Sequence, residues 1–227
     1  MKIAILTGAG ISKESGIPTF RDADGLWNQF NVVELASAEA LKTNKETVLS
    51  FYNMRKEEVK KCEPNAAHLA LTELQKHHEV CIITQNVDDL HERAGSKVLH
   101  MHGSLFWQKC TSCYHYSERY DDVLVNDACE RCGNNTLRPH VVFFGEYPLF
   151  DGPIYTALDT CDLFVSIGTS GNVFPAAEFV DIVNKRGVDT IELNLEKSCG
   201  NFKVGFYGKA TEVVPQWVNS MVTYENI

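Results

Sequence analysis

The chain has 227 residues, about one and a half domains at roughly 150 residues each, which is ample for one full core plus a smaller unit. Hydrophobic residues at 44% and charged residues at 22% exclude a disordered chain, a coiled coil and a collagen-like repeat. A net charge of −9 disfavours general binding to nucleic-acid phosphates.

The first apolar run, Ile3-Ala4-Ile5-Leu6, is too short for the core of a signal peptide, and no cleavage site follows. No stretch of 18 apolar residues occurs, so the expectation is a cytoplasmic chain without a membrane span. Ile3 to Leu6 reads as a buried strand running into the turn Thr7-Gly8-Ala9-Gly10. Thr47 to Lys61 reads as a helix, with Val48, Phe51, Tyr52, Arg55 and Val59 at three- and four-residue spacing. Asn65 to Lys76 reads as a second helix, with Pro64 marking its start. Further strands are expected at Val80–Thr84, Leu163–Ile167 and Thr190–Leu193, and further helices at Phe174–Lys185 and Val214–Val222. Strands alternating with helices predict an α/β fold with a mainly parallel sheet. Ligands of such sheets bind beyond the carboxyl ends of the strands. Residues from about Phe106 to Arg138 break the alternation and read as a small inserted module.

Four constellations carry chemistry. Gly8-x-Gly10 after a buried strand lets backbone amides approach a pyrophosphate, or makes a tight strand-to-helix turn. It is not the full dinucleotide fingerprint, since Lys13 stands where the third glycine would be. Cys110-x2-Cys113 and Cys129-x2-Cys132, 15 residues apart, form either two knuckles suited to tetrahedral structural zinc, with no position left for a reacting water, or redox disulfides. Residues 105–138 hold four basic and five acidic side chains, which argues against an isolated nucleic-acid reader. Gln85-Asn86-Val87-Asp88 follows a strand and either reads a carboxamide or orients a water, or caps the turn opening a helix at Asp89–Ala94. His102, before Gly103, is either a general base of near-neutral pKa or a structural histidine.

Together these motifs resemble the sirtuins, NAD-dependent protein lysine deacylases. The resemblance rests on Gly8-Ala9-Gly10-Ile11-Ser12, Glu14-Ser15-Gly16-Ile17-Pro18, Phe20-Arg21, Gln85-Asn86-Val87-Asp88, His102-Gly103, the paired cysteines, Phe144-Gly145-Glu146, Gly168-Thr169-Ser170 and Asn194-Leu195-Glu196. It covers residues 2 to about 217 and suggests the short bacterial type. The resemblance implies a Rossmann-like NAD-binding domain (1–30, 80–105 and 139–227), a helical part of the small domain (31–79) and a zinc-binding module (106–138). It implies NAD as cosubstrate and one structural zinc on Cys110, Cys113, Cys129 and Cys132. Acylated-lysine proteins or peptides would bind in the interdomain cleft, by strand pairing around Phe144-Gly145-Glu146 and Gly171-Asn172-Val173.

Roles follow by position. Gly8, Ala9 and Gly10 would approach the NAD phosphates, with Ser12 and Arg21 on phosphate and ribose. Phe20, Trp27 and Val87 also belong to the expected cofactor set. Gln85 would lie near the ribose hydroxyls, and Ile17, Asn86 and Asp88 would line the nicotinamide pocket. Gly168, Thr169 and Ser170 would hold the diphosphate and adenosine side, with Asn194, Leu195 and Glu196 around the adenine ribose and Ala210, before the C-terminal helix, near adenine. His102 would be the catalytic base. The acyl oxygen would displace nicotinamide, and the products would be free lysine, nicotinamide and an O-acyl-ADP-ribose. Tyr52 and Arg55 match a Tyr-x-x-Arg pair carried by sirtuins that remove succinyl and related acidic acyl groups, so acetyl, succinyl and malonyl lysines are the expected substrates.

Overall fold

The computed structural model describes residues 1–19 and 35–223. In chain order its strands are β1 (Lys2–Thr7), β2 (Glu79–Thr84), β3 (Val98–His100), β4 (Gly103–Cys110), β5 (Tyr116–Glu118), β6 (Leu137–Val141), β7 (Leu163–Ile167), β8 (Asp189–Asn194) and β9 (Val204–Tyr207). Its α-helices are α1 (Ala38–Thr43), α2 (Lys45–Lys60), α3 (Ala66–His77), α4 (Leu90–Arg93), α5 (Asp151–Thr160), α6 (Phe179–Lys185) and α7 (Ala210–Thr223). None of the described helices is long and apolar enough to cross a membrane.

Six strands form a wholly parallel sheet in the order β3-β2-β1-β7-β8-β9. The central strands read as unbroken apolar runs because helices cover both faces of the sheet. Ile3 and Ile5 of β1 point to one face, against Leu71 and Leu74 of α3 and Trp217 and Val218 of α7. Ala4 and Leu6 point to the other, against Leu158 of α5 and Phe179 and Val183 of α6. α3 therefore belongs to the core of the large sheet, a correction to its expected place within the helical part of the small domain.

The helix boundaries differ from expectation in two instructive places. α3 is capped by Asn65, whose side chain accepts the Ala67 amide at 2.9 Å while His68 Nδ1 accepts the Asn65 amide at 3.3 Å. Pro64 thus precedes the cap. α7 begins four residues before the expected Val214, so Ala210 is its first residue rather than lying ahead of it. Pro215 invites the later start, yet the helix runs through it.

The inserted region is a three-stranded antiparallel sheet, β5-β4-β6, with a register irregularity between Ser104 and Gln108. α2 lies between this module and the large domain. On one side Leu49 packs with Val123, Leu137, Cys110 and Cys129. Polar contacts pin it there: Asn53 exchanges two hydrogen bonds with the Val123 backbone, and the buried Lys56 ammonium donates to the carbonyls of Arg119 and Asp121. Along an adjacent face Val48, Phe51, Tyr52 and Val59 pack in a cluster that joins Leu105 and Val141 of the same module to Ile17 and Leu90 of the large domain.

Candidate active site

The chain leaves β1 for β2 and β3 on one side and returns to β7 on the other, so the sheet has its topological switch point between β1 and β7. A crevice opens at the carboxyl ends of strands at such a point. Here it is a cleft of about 1360 Å³. Gly8, Ala9, Gly10, Ser12 and Ile17 line it after β1; Gln85, Asn86, Val87 and Asp88 after β2; and His102 just before β4. Gly168, Thr169 and Ser170 line it after β7, Asn194, Leu195 and Glu196 at and after β8, and Ala210 at the start of α7. Tyr52 and Arg55 complete the wall from α2. The structure thus brings together every described residue that the sequence singled out for the cofactor, the base and the acyl group. Phe20, Arg21 and Trp27 lie outside the described residues.

The glycines have a reason that the fingerprint comparison does not supply. The turn after β1 is hydrogen-bonded to the turn after β7, with Gly8 N donating to Ile167 O at 2.9 Å and Gly10 N to Gly168 O at 2.8 Å. A Cβ on Gly10 would stand 2.7 Å from Gly168 Cα, and one on Gly168 would stand 2.5 Å from Ile11 N. Gly168 also has φ +61°, in the left-handed region. Gly168→Ala should therefore strain the backbone by about 1–2 kcal/mol and add overpacking of about 1–3 kcal/mol. The expected result is a melting temperature lower by at least about 5 °C and weaker NAD binding, read by thermal scanning and calorimetry.

The floor of the cleft is a buried polar network. Ser12 Oγ donates to Asp88 Oδ2 at 3.1 Å and accepts from Asn86 Nδ2 at 3.2 Å, with His68 Nε2 behind it at 3.4 Å. Asn86 Nδ2 also reaches the Gly8 carbonyl at 3.2 Å, tying the floor to the glycine turn. Asp88 Oδ1 accepts the Leu90 amide at 3.2 Å, so this carboxylate caps α4 while facing the cleft. The two readings of the segment are therefore compatible. Burial raises the Asp88 carboxyl above the usual range, and the Leu90 amide, Ser12 and the nearby His100 act against that rise. His68, held down to about 4 by burial, is neutral.

His102 turns Nδ1 to the Gln85 carbonyl at 3.0 Å. A carbonyl only accepts, so Nδ1 carries the hydrogen and Nε2 has a lone pair when the ring is neutral. Burial pushes the pKa below its ordinary value, partly opposed by the Gln85 carbonyl. The ring is thus neutral at pH 7, in the tautomer a base requires.

On the far side of the cleft Thr169 is the organising residue. Its hydroxyl accepts from Gln85 Nε2 at 3.0 Å, and its carbonyl accepts from Asn194 Nδ2 at 2.8 Å. The buried Glu192 side chain, which the sequence did not bring out, holds the following loop through the Ser198 amide at 3.1 Å and the Tyr207 hydroxyl at 3.2 Å.

Tyr52 and Arg55 are both nearly fully buried. The Tyr52 ring packs edge-on against Phe51 and lies 5.5 Å from Phe143. Burial raises its pKa, so the hydroxyl keeps its proton and remains a donor. Arg55 Nη1 lies 3.1 Å from the half-exposed Glu58. The neighbouring 143–146 turn is built on Arg138, which grips Glu146 through two bonds of 2.7 and 2.8 Å and sits 3.9 Å over the Phe143 ring. Arg138 carried no signal beyond its charge in the sequence. The Phe144 amide of this turn donates to Ala36 O, in the segment before α1, at 2.8 Å.

The four paired cysteines come together with all their sulfurs within 4.8 Å of one another. Cys110 and Cys132 are 3.7 Å apart, as are Cys113 and Cys129. Zinc–sulfur bonds of about 2.3 Å in a tetrahedron separate the sulfurs by about 3.8 Å, whereas a disulfide needs about 2.05 Å. The cysteines are positioned to bind one zinc ion.

A parallel sheet with glycine turns at its switch point, joined across one cleft to a four-cysteine module, defines a Rossmann-like protein with an inserted metal-binding unit. Residues 8–175 match the Sir2 family, and the chain belongs to it. It is 46% identical to an NAD-dependent protein deacylase of Vibrio vulnificus strain YJ016, over 98% of this chain and 94% of that one. The solved Sir2 homologue in complex with ADP-ribose, in a mutant form, superposes with a TM-score of 0.91 at 40% identity, covering 99% of this chain and 93% of that one. A Sir2 protein solved with a deacetylated p53 peptide and 3'-O-acetyl ADP-ribose gives a TM-score of 0.82 at 28% identity, covering 96% and 92%.

Proposed function

We propose that this NAD-dependent protein deacylase of the Sir2 family removes acetyl, succinyl and malonyl groups from protein lysines in the cytoplasm. Nicotinamide and an O-acyl-ADP-ribose leave as products. The glycine turns after β1 and β7 hold the diphosphate, Asn86 and Asp88 meet the nicotinamide carboxamide, and Thr169, Asn194 and Glu196 carry the adenosine side. The substrate peptide lies between the two domains beside Phe144-Gly145-Glu146 and Val173. The acyl oxygen displaces nicotinamide to give an imidate on the ribose. His102 Nε2 takes a proton from a ribose hydroxyl, that oxygen attacks the imidate carbon, and water then replaces the lysine amine, which leaves as free lysine. Aligning a weak acyl-oxygen nucleophile and excluding water do most of the remaining work, which suits a deep cleft with a rigid polar floor.

The observation that carries the acyl assignment is the pair Tyr52 and Arg55, one helical turn apart, both buried and both on the cleft wall. A guanidinium and a protonated phenol offer donors to a distal carboxylate where water is scarce. Arg55→Met retains the stem and removes the charge. Desuccinylation should fall tenfold to a few hundredfold in kcat/KM, as expected for about 1.5–3 kcal/mol of charge-assisted hydrogen bonding. Deacetylation should change far less, and Tyr52→Phe should show the same bias more weakly. Parallel assays with acetyl- and succinyl-lysine peptides read the ratio. Equal losses on both substrates would remove the acid-acyl assignment, and transfer of ADP-ribose to the peptide without acyl loss would replace deacylation by ADP-ribosylation.

A further inference from the structure

His100 and His102 stand two residues apart, and each turns Nδ1 to a carbonyl of the cleft floor. His102 bonds Gln85 O at 3.0 Å and His100 bonds the next carbonyl, Asn86 O, at 2.9 Å. The two rings differ at Nε2. That of His102 has no hydrogen-bond partner among the described residues, and its ring lines the cleft; that of His100 meets Glu92 Oε1 at 2.5 Å. A backbone carbonyl and a solvated carboxylate both accept only, so a ring lying between them must donate from both nitrogens. That ring is an imidazolium.

We propose that His100, clamped as an imidazolium between the Asn86 carbonyl and the Glu92 carboxylate, is a positioning residue for the Gln85–Asp88 floor and sets an alkaline limit on the use of NAD. The proposal rests on the reading of Asn86 and Asp88 as nicotinamide-side residues. His100 touches no reacting atom. It acts through Asn86, whose side chain holds the Gly8 carbonyl and Ser12, and through its charge, which lies near enough to Asp88 to ease the ionisation of that buried carboxyl. The titratable groups around His100 are Glu92 and His91 on α4 and Asp88 and Asp89 in the turn before it. His91 is buried and neutral, so carboxylates dominate the field. Burial opposes the charge on His100, but the Glu92 bond and charge, the Asn86 carbonyl and Asp88 outweigh it and raise the pKa above its ordinary value. The sign follows. The clamp is complete below the raised pKa and is lost as pH rises through it, because one nitrogen then presents a lone pair to an acceptor. The lowered pKa of His102 has the opposite consequence, loss of the base as pH falls. Two histidines in one strand-end segment thus bound the working range from either side.

Glu92→Gln tests this at an exposed position, because the amide oxygen can still accept from Nε2 while the charge is gone. The imidazole proton resonances of His100, assigned by their absence in His100→Asn, should titrate above the usual histidine range in the wild type. They should move down by about one pH unit or more in Glu92→Gln, as expected for loss of an adjacent opposite charge. The alkaline limb of kcat/KM for NAD should move with them, and His100→Asn should remove that limb and raise KM for NAD more than it lowers kcat. A His100 titration at or below the ordinary value would overturn the clamp. A resonance that moves while the kinetic limb stays fixed would overturn the positioning role. If the wild type lacks NAD-dependent activity altogether, the functional reading fails instead, and the resonance still decides the clamp.

Discussion

Replacing His102 by alanine is expected to lower deacylation turnover by about 10²–10⁴-fold, the usual cost of a general base. The fold should survive, because the ring sits at the cleft and is held, among the described residues, by a single hydrogen bond, from Nδ1 to the Gln85 carbonyl. The loss should be uneven along the reaction. Exchange of labelled nicotinamide precedes the proton transfer assigned to His102, so exchange should fall much less than formation of free lysine. Calorimetry should find NAD binding close to that of the wild type. The pH profile offers a second check. Burial holds His102 below its ordinary pKa, and the base must be unprotonated to act. Activity should therefore fall on the acid side, with a midpoint below the usual histidine value, and this limb should be absent from the residual activity of the variant. Equal losses in exchange and deacylation would make His102 a binding residue.

Much of the large domain was legible in the sequence because a parallel sheet covered on both faces leaves unbroken apolar runs. β1, β2 and β7 coincide with largely apolar runs, and β8 with the shorter Thr190–Leu193, interrupted by Glu192. The elements that escaped are those whose local signals conflict with their surroundings. β9 is exposed at all four positions, so Val204–Tyr207 shows no alternation. Asp151–Thr160 opens with Asp-Gly-Pro, which reads as a turn, yet proline is tolerated in a first helical turn where its missing amide has no partner to lose. α1 spans only six residues, too few for a periodic pattern.

The cleft shows the same division. Residues marked by turn chemistry or by family motif were found, since Gly8, Gly10 and Gly168 are required by the close passage of two loops. Residues that hold those motifs in place were not. Arg138, Glu192 and His68 act through bonds to residues distant in the chain or to backbone groups, and a single sequence records neither. Their effect is nonetheless large. Arg138 orders the turn beside the acyl wall, Glu192 orders the loop beyond β8, and both do so from buried positions.

Removing one zinc ligand should have the largest effect on the fold, and the choice of ligand makes the result readable. Cys110 is fully buried among Leu49, Val123 and Leu137, so Cys110→Ala would also leave a small defect in that core. Cys132 is exposed and belongs to no apolar cluster, so loss of stability in Cys132→Ala can come only from coordination. Structural zinc contributes on the order of 10–16 kcal/mol of apparent binding energy in small domains, more than the three-stranded sheet β5-β4-β6 could supply alone. Cys132→Ala should therefore lose the metal, measured as one zinc per chain in the wild type, and expose residues 111–136 to protease. The effect should spread along α2. That helix is fixed to the module by Asn53, Lys56 and Leu49, and its adjacent face presents Tyr52 and Arg55 to the cleft. Deacylation should fall with the metal even though none of these four cysteines lines the cleft. NAD binding should be less affected, because the sheet β3-β2-β1-β7-β8-β9 has its own cores on both faces. A chelator should reproduce the variant, more readily at low pH, where protons compete for the thiolates. A metal-free protein that keeps its protease resistance and full activity would show that the four sulfurs hold the module together without a cation.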